Sequence, residues 1–354
     1  MPFNPYLDEI YRNLPRVLSL FDGDRTSTSY GMGDRYYWAW GLIDFGNGTF
    51  QGAAHGLARL WAAGLWPYAG NDEIFLARID AMVHAVDRLT RADGSLEEAF
   101  PNEGSYCVTA LIAFDLLCAL DLLEARLNAA QVRRWKEIIG PLIAYLIKAD
   151  ETHALISNHL ATAAAALARW HLLTGDAEAE HRAKHLVDRI LKHQSSEGWF
   201  CEYEGADPGY QSLCTYYLAD LHQNRRDWNL LEPLRKSLVF LSFFAHPDGS
   251  FGGVYGSRCT RFYYPAGIVA LAKDVPEAFA LSKFMEAAIA NQHTVSLSAM
   301  DEPNLIPMFN AYAWAAVQFN SQSNDHLELV PAKFKKSFSQ WFPEAGLLID
   351  RGPN

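Results

Sequence analysis

Cysteine is scarce in this chain. The 354 residues hold five, at positions 107, 118, 201, 214 and 259, and no two form a Cys-x-x-Cys pair. An odd count at such spacing supplies neither a disulfide framework nor a zinc site, and it fits reduced thiols. Positive charge is also scarce: 30 Lys and Arg against 41 Asp and Glu leave a net charge of −11. Nothing forms the basic stripe that phosphate contacts need, which excludes a nucleic-acid binder. The opening residues Met1-Pro2-Phe3-Asn4-Pro5-Tyr6-Leu7-Asp8-Glu9 lack the charged start and apolar run of a secretory signal. No uninterrupted apolar run reads as long enough to cross a membrane. These absences lead to the expectation of a cytoplasmic protein without a membrane span. The chain has no Gly-x-Ser-x-Gly elbow and no Walker motif, and Gly31-Met32-Gly33 is too short for a phosphate loop. His181 and His185 stand four apart, but Glu178, Glu180, Arg182 and Lys184 around them read as a solvated helix face. No metal and no cofactor is expected.

What the chain has is a repeat. Half its residues are apolar and 13% are aromatic, with 10 Trp and 16 Tyr. Aromatics at that density build a large core or line a flat-ligand surface such as a sugar site. Four turn signals recur: Asn47-Gly48-Thr49-Phe50, Asp93-Gly94-Ser95-Leu96, Glu197-Gly198-Trp199-Phe200 and Asp248-Gly249-Ser250-Phe251. Their glycines lie 46, 104 and 51 residues apart. The double-length gap predicts a further unit with a changed turn at Lys148-Ala149-Asp150-Glu151, and a sixth falls near Met300-Asp301-Glu302-Pro303. In each unit an apolar-periodic helix runs into the glycine, which supplies the positive φ of a helix end. An irregular loop and a second apolar helix follow. His159 to Trp170 is alanine-rich, as an inner layer of closely spaced helices requires. β alternation is absent until Ala345-Gly346-Leu347-Leu348-Ile349-Asp350-Arg351. The expected fold is all-α: six helix pairs closed into an (α/α)6 toroid, with a short strand-like tail.

Closure turns the period into a site prediction, because loops far apart in sequence then meet at one mouth. His55 follows Gly48, and Glu97, Glu98 and Tyr106 follow Gly94. The changed turn leads to His153, Asn158 and His159, and Gly198 leads to Glu202, Glu204, Asp207 and Tyr210. Tyr255, Arg258 and Arg261 follow Gly249, and the sixth unit offers Asp301, Glu302 and Asn304. Upstream, Asp34-Arg35-Tyr36-Tyr37-Trp38-Ala39-Trp40 has aromatics suited to stacking on sugar rings. Ser157 or Asn158 would make a good N-cap, and Asn158-His159 also suits an amide that binds a carboxylate beside an imidazole that moves a proton. Tyr210 suits a core aromatic or an acid/base group, and Arg258 or Arg261 would lower its pKa.

Ser157-Asn158-His159-Leu160, followed about fifty residues later by Glu204-Gly205-Ala206-Asp207-Pro208-Gly209-Tyr210, resembles the heparinase II/III-like and related alginate lyase toroids. The resemblance implies that Asn158-His159 binds a uronate carboxylate and that Tyr210 is an acid/base. It also implies a β-sandwich after the toroid. Residues 1–325 would then be the toroid, and 326–354 a linker and the opening of a β-sandwich that the chain does not contain. Where that family often has His after the tyrosine, this chain has Gln211. Family lyases are usually secreted whereas this chain lacks a signal, which counts against extracellular polysaccharide degradation and makes room for a role in glycan or exopolysaccharide assembly.

The expected reaction is removal of the C5 proton of a uronate in a polysaccharide, by a lyase or a C5-epimerase. Asn158, His159, Tyr210, Tyr255 and Arg258 would be catalytic, and Trp38, Trp40, His55, Glu204, Asp207 and Arg261 would bind substrate. One alternative is an inverting glycoside hydrolase, with two carboxyls roughly 6.5–9.5 Å apart drawn from Glu97, Glu98, Glu204, Asp207 and Asp248. Another is a glycan-binding scaffold without catalysis.

Overall fold

The structure is a computed structural model that describes residues 3–33, 46–68, 70, 72–98, 102–321 and 327–352. Twelve α-helices lie within them. They are α1 (Pro5–Ser19), α2 (Ala53–Ala62), α3 (Asp72–Leu89), α4 (Tyr106–Leu123), α5 (Ala129–Lys148), α6 (Ser157–Thr174), α7 (Ala177–Lys192), α8 (Pro208–Asn224), α9 (Leu231–Ser242), α10 (Pro265–Leu271), α11 (Pro276–Ala290) and α12 (Glu302–Gln318). The even-numbered helices form a closed ring. In it α2 packs on α4, α4 on α6, α6 on α8, α8 on α10, α10 on α12, and α12 back on α2. The odd-numbered helices lie outside, with α1 on α11 and α12, α3 on α5, α5 on α7, and α9 on α11.

Residue pattern sorts the two layers. Outer helices are amphipathic: α7 buries Ala179, Ala183, Leu186, Val187 and Ile190, a stripe at helical spacing. Inner helices are covered all round. α4 buries Val108 through Leu120 without a break, and α6 buries its alanines at 161, 163, 164, 165, 166 and 168. Small side chains there let α6 lie close to α4, α7 and α8 at once. Residues 106–126 are long and apolar enough to cross a membrane by length and composition. This corrects the expectation that no such run exists, and the stretch is largely buried as a wall of the ring.

The turn glycines dock each unit on the next. Gly94, Gly198 and Gly249 have φ of 89°, 102° and 90°. A Cβ on Gly94 would sit 2.4 Å from the Pro141 carbonyl of α5, and one on Gly198 would sit 2.4 Å from the Lys236 carbonyl of α9. On Gly249 it would sit 2.7 Å from His293 Cβ, just past α11. Each glycine therefore answers both a left-handed backbone and a close approach. Gly48 is different: it opens a 3₁₀ helix, Gly48–Gly52, that leads straight into α2. The first unit's docking glycine is Gly31, with φ 82° and a Cβ position 2.3 Å from the Ala81 carbonyl of α3. Met300–Pro303 is the start of α12 rather than a turn, since α11 already ends at Ala290 and Gln292 takes the positive φ.

Contacts between alternate inner helices cross the axis and fill it. Phe114 of α4 meets Tyr216 and Tyr217 of α8 edge-on at 5.9 and 5.1 Å, and Tyr216 meets Trp314 of α12 at 5.3 Å. Two short strands, β1 (Leu96–Glu97) and β2 (Gly104–Ser105), flank the loop before α4. At the C-terminal end β3 (Phe338–Phe342) pairs antiparallel with β4 (Leu347–Arg351). Phe342 packs on Phe240 of α9 at 4.9 Å and on Phe243, just past its end, at 5.3 Å, and Arg351 donates to the Phe243 and Ala245 carbonyls. This hairpin thus seats on the outside of the ring.

Candidate functional site

The loops before α6, α8 and α10 are knitted into one rim. Ile156 bridges Glu202, the Ser157 N–H donates to the Cys201 carbonyl, and the Tyr203 N–H donates to the Leu155 carbonyl at 3.0 Å each. Asp207 joins the next pair. It caps α8 by accepting from the Tyr210 N–H at 3.1 Å, and it accepts from the Arg258 N–H at 2.9 Å and from the Thr260 hydroxyl. The first turns of α6 and α8 therefore open at the same end of the ring.

Ile156 occupies the N-cap of α6 and offers no side-chain bond, which corrects the expectation that Ser157 or Asn158 caps this helix. The cap comes from the next repeat. Buried Glu202 accepts from the Asn158 N–H at 2.9 Å and from Asn158 Nδ2 at 2.6 Å. Burial pushes Glu202 up to about 8, against the hydrogen bonds of Asn158.

His159, one residue on, has its side chain 16% exposed, and Glu151 accepts from its Nδ1 at 2.6 Å. Glu151, 2% exposed, also accepts from the ring and the N–H of His153. Burial alone would raise Glu151, but these bonds outweigh it and hold the carboxyl at about 2. Burial likewise works against charge on His159, yet Cys107 and Glu151 together raise it well above the usual 6.5. His159 is thus an imidazolium at neutral pH, braced by a carboxylate.

Tyr210 lies on the first turn of α8, partly buried, with Phe262 edge-on at 6.5 Å. Burial pushes its phenol up to about 12, and the Arg258 charge pulls against that. The Arg258 guanidinium itself covers the Tyr203 ring at 4.4 Å. Cys107, on the first turn of α4, interacts with both His159 and Tyr210. Three consecutive inner helices thus bring Cys107, His159 and Tyr210 to one mouth, and the Arg258 charge acts on Tyr210.

Other expected residues stand elsewhere. Trp38 and Trp40 lie outside the described residues. His55 is fully buried; its Nδ1 donates to Asp115 at 2.8 Å and its Nε2 accepts from Arg59 at 2.9–3.2 Å. Both ring nitrogens are engaged, and the side chain is fully buried. The Asp207 carboxylate is engaged in capping. Glu204 and Arg261 are exposed on the rim. Tyr255 turns the other way: its hydroxyl meets His246 Nε2 at 2.9 Å and its ring packs near Phe244. Of the other carboxylates considered for a hydrolase, Asp248 closes its own turn onto Ser250, and Glu97 accepts from the Asn102 N–H at 2.7 Å.

Glu151 and Cys107 were not anticipated. The signal for Cys107 was its phase: it is the second residue of its inner helix, as Asn158 is of the next. Among the described residues no group of three or more His, Cys, Asp and Glu is arranged to hold a metal ion.

No protein-family model and no curated protein matches the sequence. Solved structures match the fold. Cellobiose 2-epimerase from Bacillus thermoamylovorans is 11% identical with a TM-score of 0.62, over 88% of this chain and 98% of that one. A family 76 glycoside hydrolase from a bovine Bacteroides thetaiotaomicron strain is 10% identical with a TM-score of 0.60, over 88% and 77%. Paenibacillus xanthan lyase is 12% identical with a TM-score of 0.58, over 96% of this chain, which spans about a third (32%) of that protein. At such identities the likeness is one of architecture, and with the closed ring of inner helices it makes this chain an (α/α)6 toroid.

Proposed function

We propose that this protein acts on a carbohydrate, and that its substrate carries a uronate whose C5 proton is removed at the mouth formed by α4, α6 and α8. The observation that carries this reading is His159, fixed by Glu151, at the same rim as Tyr210, whose phenol feels the Arg258 charge. Removing a proton next to a carboxylate builds negative charge on that carboxylate, and pre-set cations aimed there stabilise it. His159 and Arg258 supply those charges. Asn158 shapes the rim through Glu202, and its amide has a second N–H for a carboxylate oxygen.

Tyr210 carries the proton. With its phenol near 12, only about one molecule in 10⁴ is phenolate at pH 8, so turnover as a base climbs with pH. The same phenol, once it has taken the C5 proton, can give it to the leaving oxygen, which completes a β-elimination. Return of a proton to the opposite face of the ring would instead invert C5. Fold neighbours include a polysaccharide lyase, sugar epimerases and glycoside hydrolases, and lend support by architecture only. A hydrolase is less well supported, because Asp207, Asp248 and Glu97 already hold backbone or side-chain donors.

The test is incubation of the protein with a panel of uronate glycans in heavy water. An unsaturated uronate detected by ultraviolet absorbance, or deuterium at C5 of intact chains, is the expected result. Both signals should vanish in Tyr210→Phe. New reducing ends with neither signal would refute the reading.

A further inference from the structure

One residue of the rim has a backbone that its side chain does not favour. The Glu202 N–H donates to the Gly205 carbonyl at 2.8 Å, and the Gly205 N–H returns a bond at 3.4 Å. Tyr203 and Glu204 are therefore the two central residues of a tight hairpin turn. Tyr203 has a φ of 63°, whereas Glu204 stays out of the left-handed region. A positive φ at the first central position alone is the sign pattern of a type II′ turn, where that position ordinarily holds glycine. A bulky aromatic there is strained, and such strain collects where a side chain serves a function.

The ring that this backbone projects carries one charged partner. The Arg258 guanidinium lies 4.4 Å from its centroid, inside cation–π range, and among the described residues no other ring meets it. Arg258 is exposed, and among the described residues its guanidinium has no carboxylate or other acceptor. Its backbone is nonetheless fixed in the rim. The Arg258 N–H donates to one oxygen of Asp207 at 2.9 Å, and the Tyr210 N–H donates to the other at 3.1 Å. The Ser257 N–H donates to the Ala206 carbonyl at 2.9 Å, and the Tyr203 N–H reaches the Leu155 carbonyl at 3.0 Å. The turn thus ties together the loops before α6, α8 and α10. A guanidinium held on a ring face keeps its fork of N–H donors free, and that fork matches a carboxylate.

We infer that Tyr203 is a positioning residue, a platform in a strained turn that pre-orients the Arg258 guanidinium for the substrate's carboxylate. This role rests on the proposed uronate substrate and deepens it: the Tyr203–Arg258 stack discriminates a uronate from its neutral sugar. An exposed arginine otherwise orders its long side chain only on binding, and the lost entropy weakens its grip. Tyr203 does that ordering beforehand and acts through Arg258.

Three variants separate platform from filler. Tyr203→Gly suits the turn and removes the platform, Tyr203→Phe keeps the aromatic face, and Tyr203→Leu keeps the strain without a π face. The Arg258 Nε–H resonance, assigned by its loss in Arg258→Met, should carry a ring-current shift in the wild type and in Tyr203→Phe. The other two variants should lose it. Glucuronate is the probe, with glucose as the neutral control. Glucuronate should move the Arg258 resonance, and its Kd should rise at least about fivefold in Tyr203→Gly and Tyr203→Leu. Tyr203→Phe should bind it within about twofold of wild type, and no variant should alter glucose binding. The urea midpoint of Tyr203→Gly should be no lower than that of Tyr203→Leu, because glycine bears no left-handed strain. An Arg258 resonance without a ring-current shift, or unmoved by glucuronate, would overturn the assignment, as would wild-type glucuronate affinity in Tyr203→Gly. A Tyr203→Gly midpoint well below that of Tyr203→Leu would do the same, since it would make the side chain a structural filler. The C5 reaction is judged apart from this: if heavy water gives neither signal while Arg258 behaves as described, the reaction falls and the platform stands.

Discussion

Replacing Glu151 with Gln removes the anion that fixes His159 and turns one of its two acceptor oxygens, which serve His159 and His153, into a donor. The carboxylate is 2% exposed and the imidazole 16%, so the pair is well shielded from solvent. Deleting one partner of a buried pair costs about 3–5 kcal/mol. Gln keeps one acceptor for the His159 ring, so the expected loss is about 2–3 kcal/mol. The sign of the pH dependence follows from the two shifts. His159, raised above 6.5, contributes stability that is complete below 6.5 and is lost as pH climbs through its folded value. Glu151, depressed from 4.5 to about 2, contributes stability that is complete above 4.5 and is lost as pH falls toward 2. Both are fully present between pH 4.5 and 6.5, so urea denaturation at pH 6 is the assay. The gap between wild type and Glu151→Gln should be widest there and should narrow at alkaline pH. A gap under about 0.5 kcal/mol at pH 6, the size of an ordinary surface change, would refute a buried ion pair.

Four further outcomes are expected. Tyr210→Phe should lower turnover by about 10²–10⁴-fold with little change in stability. In the wild type, turnover should rise about tenfold per pH unit on the acid side, and Arg258→Met should move that rise to higher pH; a flat profile would remove Tyr210 as the base. His55→Ala should destabilise by about 1–3 kcal/mol, because it leaves Asp115 and Arg59 without their imidazole partner inside the ring; if only KM changed, His55 would be a substrate group after all. Gly198→Ala should cost more than Gly175→Ala, by calorimetry. The first meets the Lys236 carbonyl at 2.4 Å, whereas the second has nothing within 4 Å and bears only the left-handed strain of about 1–2 kcal/mol.

The ring was legible because a toroid repeats its physics. Gly94, Gly198 and Gly249 each need a positive φ and a bare Cα against the next outer helix, and that double demand left a visible period. The cryptic turn at Lys148–Glu151 could be placed by interval alone, and α5 does end at Lys148. Gly48 misled for a local reason: it starts a 3₁₀ helix rather than ending an α-helix. Gly31, the true first docking glycine, sits in a sequence without the Asp-Gly-Ser pattern that marks Gly94 and Gly249. In those two turns the Asp carboxylate accepts from the Ser N–H and hydroxyl.

The mouth was only partly legible, because which side chains meet depends on bonds between repeats. Asn158 and Glu202 are 44 residues apart, and a cap supplied by the following unit leaves no local pattern. Asp207, expected to bind substrate, spends its carboxylate on capping α8 and on holding Arg258 and Thr260 of the next loop. Glu151 looked like part of a helix end. Its role follows from burial beside two imidazoles, which no spacing rule announces. Cys107 shared the phase of Asn158 but carried no motif.

Carboxylate recognition by His159 is the centre of the functional account, and nuclear magnetic resonance of that imidazole tests it directly. A uronate oligosaccharide should shift the His159 ring resonances on binding, and the same oligosaccharide with its carboxyls reduced to alcohols should bind at least about tenfold more weakly. Equal binding of the reduced sugar, or an unmoved His159 signal at saturation, would contradict the account.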